Sequence, residues 1–268
     1  MKKLPTYYIS HGGGPWPYMP DFRAQMKVLE ESLVAMVNEL GEKPKAVLMI
    51  SGHWEETAYT VMGNPVPPMV YDYYGFPPHT YQVKYPAPGD PALAERVKSL
   101  IEAAGLPAAI DPERGFDHGT FAPLVVMYPE ADVPVVQLSM RTHYDPLEHV
   151  KLGRALAPLR EEGILIVGSG LSYHNLRQFG AAGKVPSEQF DAWLQTALAI
   201  ESQEERTATV CDWTKAPSAR IAHPREDHLI PLMTALGAAE SEKAYCVYHE
   251  KNIFGGVTAS SFRFGELT

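Results

Sequence analysis

The sequence predicts an α/β protein with parallel strands, and three observations carry that expectation. A β-prone run at residues 6–10 is followed by a helical pattern at 22–40 and an apolar run at 46–50. Strand, helix, strand is a βαβ unit, so the first two strands should be parallel and paired. Both apolar runs end in small residues and a histidine, Ser10-His11 and Ser51-Gly52-His53. In open α/β sheets ligands bind beyond the carboxyl ends of strands.

Taken in order, the run at 6–10 leads into GGGPWPYMP, where glycine permits close backbone approach and proline stiffens the exit. Asp21 is read as the cap of a helix whose apolar stripe is Phe22, Met26, Leu29, Leu33, Met36 and Leu40, ended by Gly41. Residues 58–62 read as a strand. The stretch 63–91 is dense in proline and tyrosine, an irregular length that often forms a functional wall. Such an aromatic wall suits a flat substrate, and equally a contact between copies in a homo-oligomer. Helices are expected at 91–104, 120–127, 146–159, 188–200 and 229–236, the last with Pro231 in its first turn. Strands are expected at 133–138, 163–167, 244–248 and 258–264. With no repeat and no linker, residues 1–268 read as one catalytic domain.

Composition narrows the function. The chain is 45% hydrophobic and 21% charged, with a net charge of -9 and no basic tract, which argues against nucleic acid. Cys211 and Cys246 form no CxxC, so neither a zinc-thiolate site nor a disulfide framework is expected. The first residues lack a signal-peptide core, and no run approaches a membrane span. A cytoplasmic protein without membrane partners is the expectation.

The histidines carry the chemistry. His11 and His53 share one setting, and neighbouring parallel strands about 5 Å apart would let both imidazoles hold one ion. His174 follows a third strand in GSGLSYHNL, where it suits a ligand or a general acid/base, with Asn175 able to orient its ring. His228 opens a helix and forms an HxxxxH pair with His223, which is not the HExxH of zinc proteases. His118 lies at a helix start, where a histidine tends to stay neutral and can donate to an oxygen; its alternative is a core histidine held by Asp117. His149 reads as structural, while His143 reads as a possible pocket neighbour. Arg141, Arg177 and Arg225 are candidate anchors for an anionic substrate group.

In chain order the sequence holds HGGGP at 11–15, SGHW at 51–54, YPAPGDP at 85–91, GFDHGTFAPL at 115–124, VPVVQLS at 133–139 and DHLIPL at 227–232. Together these segments resemble the class III extradiol ring-cleaving dioxygenases, in particular the DOPA 4,5-dioxygenase-like branch. The resemblance implies a central mostly parallel sheet flanked by helices, with a smaller antiparallel portion. It implies a mononuclear non-heme centre with His11, His53 and His228 as metal ligands, although Glu226 would complete a two-histidine, one-carboxylate set. His174 would be the acid/base and His118 the histidine near oxygen. Fe(II) would serve catalysis, and Zn(II) is a further possible occupant. The implied reaction cleaves a catechol-type ring beside its diol with dioxygen. A zinc hydrolase using metal-bound hydroxide, or a metal-binding relative without turnover, are the alternatives.

Overall fold

The apolar runs at the first, second and sixth strand positions become the centre of an eight-stranded sheet. The computed structural model describes residues 3–267. The strands are β1 (Thr6–Ser10), β2 (Ala46–Glu56), β3 (Tyr59–Met62), β4 (Ala108–Asp111), β5 (Val135–Arg141), β6 (Ile164–Gly170), β7 (Ala244–Ile253) and β8 (Val257–Phe264). Their order across the sheet is β4-β3-β5-β2-β6-β1-β8-β7. The block β5-β2-β6-β1 is parallel, and every residue of β1 and β6 is buried. Such continuous apolar runs are what strands covered on both faces require. β3 joins β5 antiparallel, and β8 joins β1 and β7 antiparallel, which gives the smaller antiparallel portion.

The helices are α1 (Pro20–Gln25), α2 (Lys27–Leu40), α3 (Pro91–Ala103), α4 (His118–Met127), α5 (Pro146–Leu156), α6 (Lys184–Leu198), α7 (Gln203–Cys211), α8 (Ala219–Ala222) and α9 (Ile230–Ala238). Two of them decide where chemistry can occur. All of α9 and nearly all of α4 are buried, as expected of helices apolar all round. They cover opposite faces of the sheet. On β6, a Cβ at Gly168 would meet Pro231 of α9, whereas the next residue, Ser169, donates from Oγ to the carbonyl of Gly119 in α4. Successive strand residues point to opposite faces. The amino ends of both helices therefore reach the carboxyl edge of the parallel block, each with a histidine.

Several sequence expectations are corrected. β1 and β2 are parallel but not paired, because β6 lies between them. β2 does not end at His53 but runs through it to Glu56, with its register against β5 shifting between Ile50 and Glu55. The first helix is two, broken at Met26, and Asp21 is not its cap: Pro20 sets the start after Met19, with no side-chain cap bond. β4, α7 and α8 were not expected. α7 had a readable start, since Ser202 accepts from the backbone N–H of Glu205 in an S-x-x-E box.

The proline- and tyrosine-rich stretch contains one short 3-10 turn, Pro78–Tyr81, and is strapped to the body of the protein. Val70 N–H donates to Phe116 O at 2.8 Å, and Phe116 N–H to Pro68 O at 2.9 Å. Tyr71 donates to Val83 O at 2.8 Å and Tyr73 to Thr80 O at 2.6 Å. Among the described residues, no helix is long and apolar enough to cross a membrane.

Candidate metal centre

His11 continues β1 by donating its backbone N–H to Gly170 O at 3.0 Å. The chain then turns at Gly12, whose φ of +82° suits glycine, and Trp16 Nε1 donates back to His11 O at 2.8 Å. His228 is placed before α9 by two bonds to its carbonyl, from Tyr8 Oη at 2.7 Å and from Leu171 N at 3.2 Å. His53 lies on β2 where the register slips. Gly119 leaves it room, because a Cβ there would stand 2.4 Å from Ser51 Oγ and 2.9 Å from His53 Cδ2. His118 is the first residue of α4, and His174 follows β6 with its N–H on Ala222 O at 2.9 Å.

These placements converge. His53 Nε2 lies 3.2 Å from His11 Nε2 and 3.1 Å from His228 Nε2. Although β6 separates β1 from β2, the side chains lean together across it. The ring of His118 lies 3.9 Å from that of His53 and 5.2 Å from that of His11. His174 stacks on His228, with ring centroids 3.4 Å apart and planes 13° from parallel. The possible ligand atoms fall into two groups of three, His11-His53-His118 and His174-Asp227-His228, joined by the His53–His228 contact.

Burial pushes His11, His53 and His228 well below the usual imidazole value, and the neighbouring histidines push in the same direction. His174 is lowered by burial as well. The rings are thus held neutral, and a neutral imidazole has one bare nitrogen. Nitrogens held about 2.0–2.1 Å from one ion stand roughly 3–3.4 Å apart at octahedral or tetrahedral angles. The observed spacings fit a shared divalent cation.

Other sequence candidates lie elsewhere. Glu226 binds Arg220 at 2.6 Å and does not join the histidines. Asn175 does not orient His174, because its amide donates to Ile221 O and accepts from Arg177 N. His143 stands beside Glu148 at 3.2 Å. Arg141 is engaged by Glu148 and Thr57 O, and Arg225 by Glu55 with its guanidinium over Tyr144. Arg177 is exposed. His223 is a core residue bonded to Ser172 O.

His118 is held by Asp72 rather than by its neighbour Asp117. Asp117 caps α4 at Thr120 N, accepts from Ser51 Oγ at 2.8 Å, and binds Arg114 at 2.9 Å and Gln137. Asp72, within the tyrosine-rich stretch, lies 2.8 Å from His118 Nδ1 and 3.3 Å from His53 Nδ1. Next to it, the Tyr73 ring stands 5.8 Å from that of His118 and 5.5 Å from that of Phe76, so the stretch does wall the histidines. The sequence reading missed Asp72 altogether.

His149 is structural, with Nδ1 on Asp145 O and Nε2 accepting from Arg141 N. Burial lowers it to about 4. Its folded value lies below the unfolded value of about 6.5, so between them the unfolded chain binds more protons. Its contribution to stability is whole above that upper value and declines as the pH falls. Urea unfolding at pH 5 rather than 7.5 should show a loss of about 2 kcal/mol from this residue. The pH dependence should shrink correspondingly in His149→Gln.

Comparison with known proteins gives a consistent result. Residues 5–265 match the family described as the catalytic LigB subunit of aromatic ring-opening dioxygenase. The chain is 42% identical over 265 residues to a 4,5-DOPA dioxygenase extradiol of Beta vulgaris, covering 97% of this chain and 96% of that one. It is 32% identical over 272 residues to the Escherichia coli K12 protein of the same description, covering 98% and 95%. The crystal structure of an uncharacterized E. coli K12 protein superposes with a TM-score of 0.77 at 28% identity, covering 98% of this chain and all of that one.

Proposed function

Because the chain belongs to the family of the catalytic LigB subunit of aromatic ring-opening dioxygenases, and is a class III extradiol dioxygenase, we propose that it opens a catechol-type ring beside its diol at a mononuclear centre held by His11, His53 and His228. The observation that carries the ligand set is the pair of Nε2 contacts at 3.2 and 3.1 Å, centred on His53. The family uses a non-heme metal and takes an aromatic small molecule and dioxygen. Fe(II) is our choice of catalytic ion: when bound it would supply the electron route between diol and dioxygen, which redox-inert Zn(II) would not. The hydrolase alternative has no comparable support, since the family opens rings.

His174 is the proton carrier in this reading, and its stacking argues for that role. Imidazole lone pairs lie in the ring plane. The His174 ring is stacked on that of His228 at 3.4 Å, so its lone pairs lie in a plane roughly parallel to, and displaced from, the one in which His228 would hold a metal. The His174 nitrogens thus lie outside that plane. One of them takes the proton from a diol hydroxyl oxygen and returns it as the ring opens. Burial favours the neutral form of the His174 ring, which has a bare nitrogen able to accept a proton. His118, packed against His53, is in this reading the ring that meets a substrate hydroxyl beside the centre. Tyr73 and Phe76 provide the apolar wall that excludes water.

For substrate we propose a catechol carrying an amino acid or carboxylate side chain. The tyrosine-rich wall suits the ring, and several relatives are described as 4,5-DOPA dioxygenases. Oxygen uptake by the Fe(II)-loaded chain should be fastest with DOPA in a panel with protocatechuate, gallate and plain catechol. A clear preference for a diol without that side chain overturns the substrate proposal and leaves the reaction class intact.

A further inference from the structure

We propose that Asp72 is a positioning residue that fixes the ring tautomers of His53 and His118 together, so that both present a bare Nε2 to the centre. The inference rests on the metal-centre reading above and extends it to a residue outside the ligand set.

The two carboxylate oxygens of Asp72 are divided between the two histidines. Oδ1 accepts from the backbone N–H of His118 at 3.0 Å and lies 2.8 Å from His118 Nδ1. Oδ2 lies 3.3 Å from His53 Nδ1. An ionised carboxylate can only accept, so the ring nitrogens that face it carry the hydrogens. For a neutral imidazole the other nitrogen is then bare. At His53 that nitrogen is the Nε2 already directed at His11 and His228, the form in which it can bind a cation. At His118 the same logic leaves Nε2 as an acceptor, able to take a hydrogen bond from a substrate hydroxyl.

The carboxylate is well placed to impose this. Its backbone is anchored on either side, by Val70 N–H on Phe116 O and by the Tyr71 and Tyr73 hydroxyls on Val83 O and Thr80 O. The Asp72 side chain is only 20% exposed, and those of His53 and His118 are 18% and 9% exposed. Carboxylates that accept from the outer nitrogen of a liganding histidine fix its tautomer and orientation, and their loss typically costs metal affinity roughly 10–100-fold. Here one carboxylate serves two rings whose centroids are 3.9 Å apart.

The isosteric variant Asp72→Asn separates tautomer control from packing. Two donors at His118, its backbone N–H and Nδ1–H, hold the amide oxygen on that side. The amide NH2 then faces His53 Nδ1 and favours a bare Nδ1, moving the ring hydrogen to Nε2, where it blocks the cation. The first measurement needs no variant. In metal-free, full-length wild-type chain at pH 8, two-bond ¹H–¹⁵N correlations should show both His53 and His118 with hydrogen on Nδ1. Hydrogen on Nε2 of either ring overturns the inference. The second is Zn(II) titration of the metal-free chains. Asp72→Asn should bind roughly 10–100-fold more weakly than wild type. Its thermal midpoint without metal should be unchanged. Wild-type Zn(II) affinity in the folded variant also overturns it. Both readouts are independent of ring cleavage, so failure of the catalytic proposal and failure of this one are distinguishable.

Discussion

Replacing His53 with alanine should abolish metal retention while leaving the protein folded. His53 is the ring common to both short Nε2 contacts, so its removal leaves His11 and His228 without the nitrogen that links them. Because His53 is a proposed direct ligand, its loss should weaken Zn(II) or Fe(II) binding by more than the roughly 10–100-fold typical of an outer partner. The fold should survive, because the sheet is held by the parallel ladders of β2 with β5 and β6 and by the buried helices α4 and α9. His11→Ala and His228→Ala should behave alike. Metal analysis of the purified variants, with circular dichroism as the control for folding, reads the result. Wild-type metal content in all three variants removes the ligand assignment.

His174→Ala should give the opposite pattern, with metal kept and turnover lost. Removing a positioned acid/base typically costs about 10²–10⁴ in rate. Its ring lies face to face with His228, not among the Nε2 contacts, so the proposed ligand set should stay complete without it. Metal content and ring-cleavage rate should be measured on the same preparation. If metal falls as far as in the His53 variant, His174 is a fourth ligand and the proton carrier must be sought elsewhere.

Much of this arrangement could be read from the chain because it is written locally. An apolar run that ends in small residues and a histidine marks both β1 with His11 and β2 with His53. The proline-bearing start of α9 similarly located His228. What could not be read is set by distant partners. β6 enters between β1 and β2 although it comes much later in the chain, and local pattern carries no signal for such an insertion. The convergence of His11 and His53 therefore depends on side chains leaning across an intervening strand, not on paired neighbours.

Asp72 illustrates the same limit more sharply. It is one acid among tyrosines in an irregular stretch, with no periodicity, and it meets His118 across 46 residues of sequence. The adjacent Asp117 was the natural partner to expect for His118. Its carboxylate is instead occupied by the α4 cap, Ser51, Arg114 and Gln137. α7 is a different case: its Ser202–Glu205 box was legible, but the polar helix that follows lacks the apolar stripe that identified the others.

The central claim is that this chain consumes dioxygen to open a catechol ring at the histidine cluster. It is tested most directly by loading the metal-free protein with Fe(II) under anaerobic conditions, verifying the iron content, and admitting oxygen in the presence of DOPA or another diol of the panel. The expected result is one dioxygen consumed for each diol lost, a yellow semialdehyde product, and no uptake by the Zn(II)-loaded chain. Full iron occupancy with no oxygen uptake on any diol of the panel contradicts the claim.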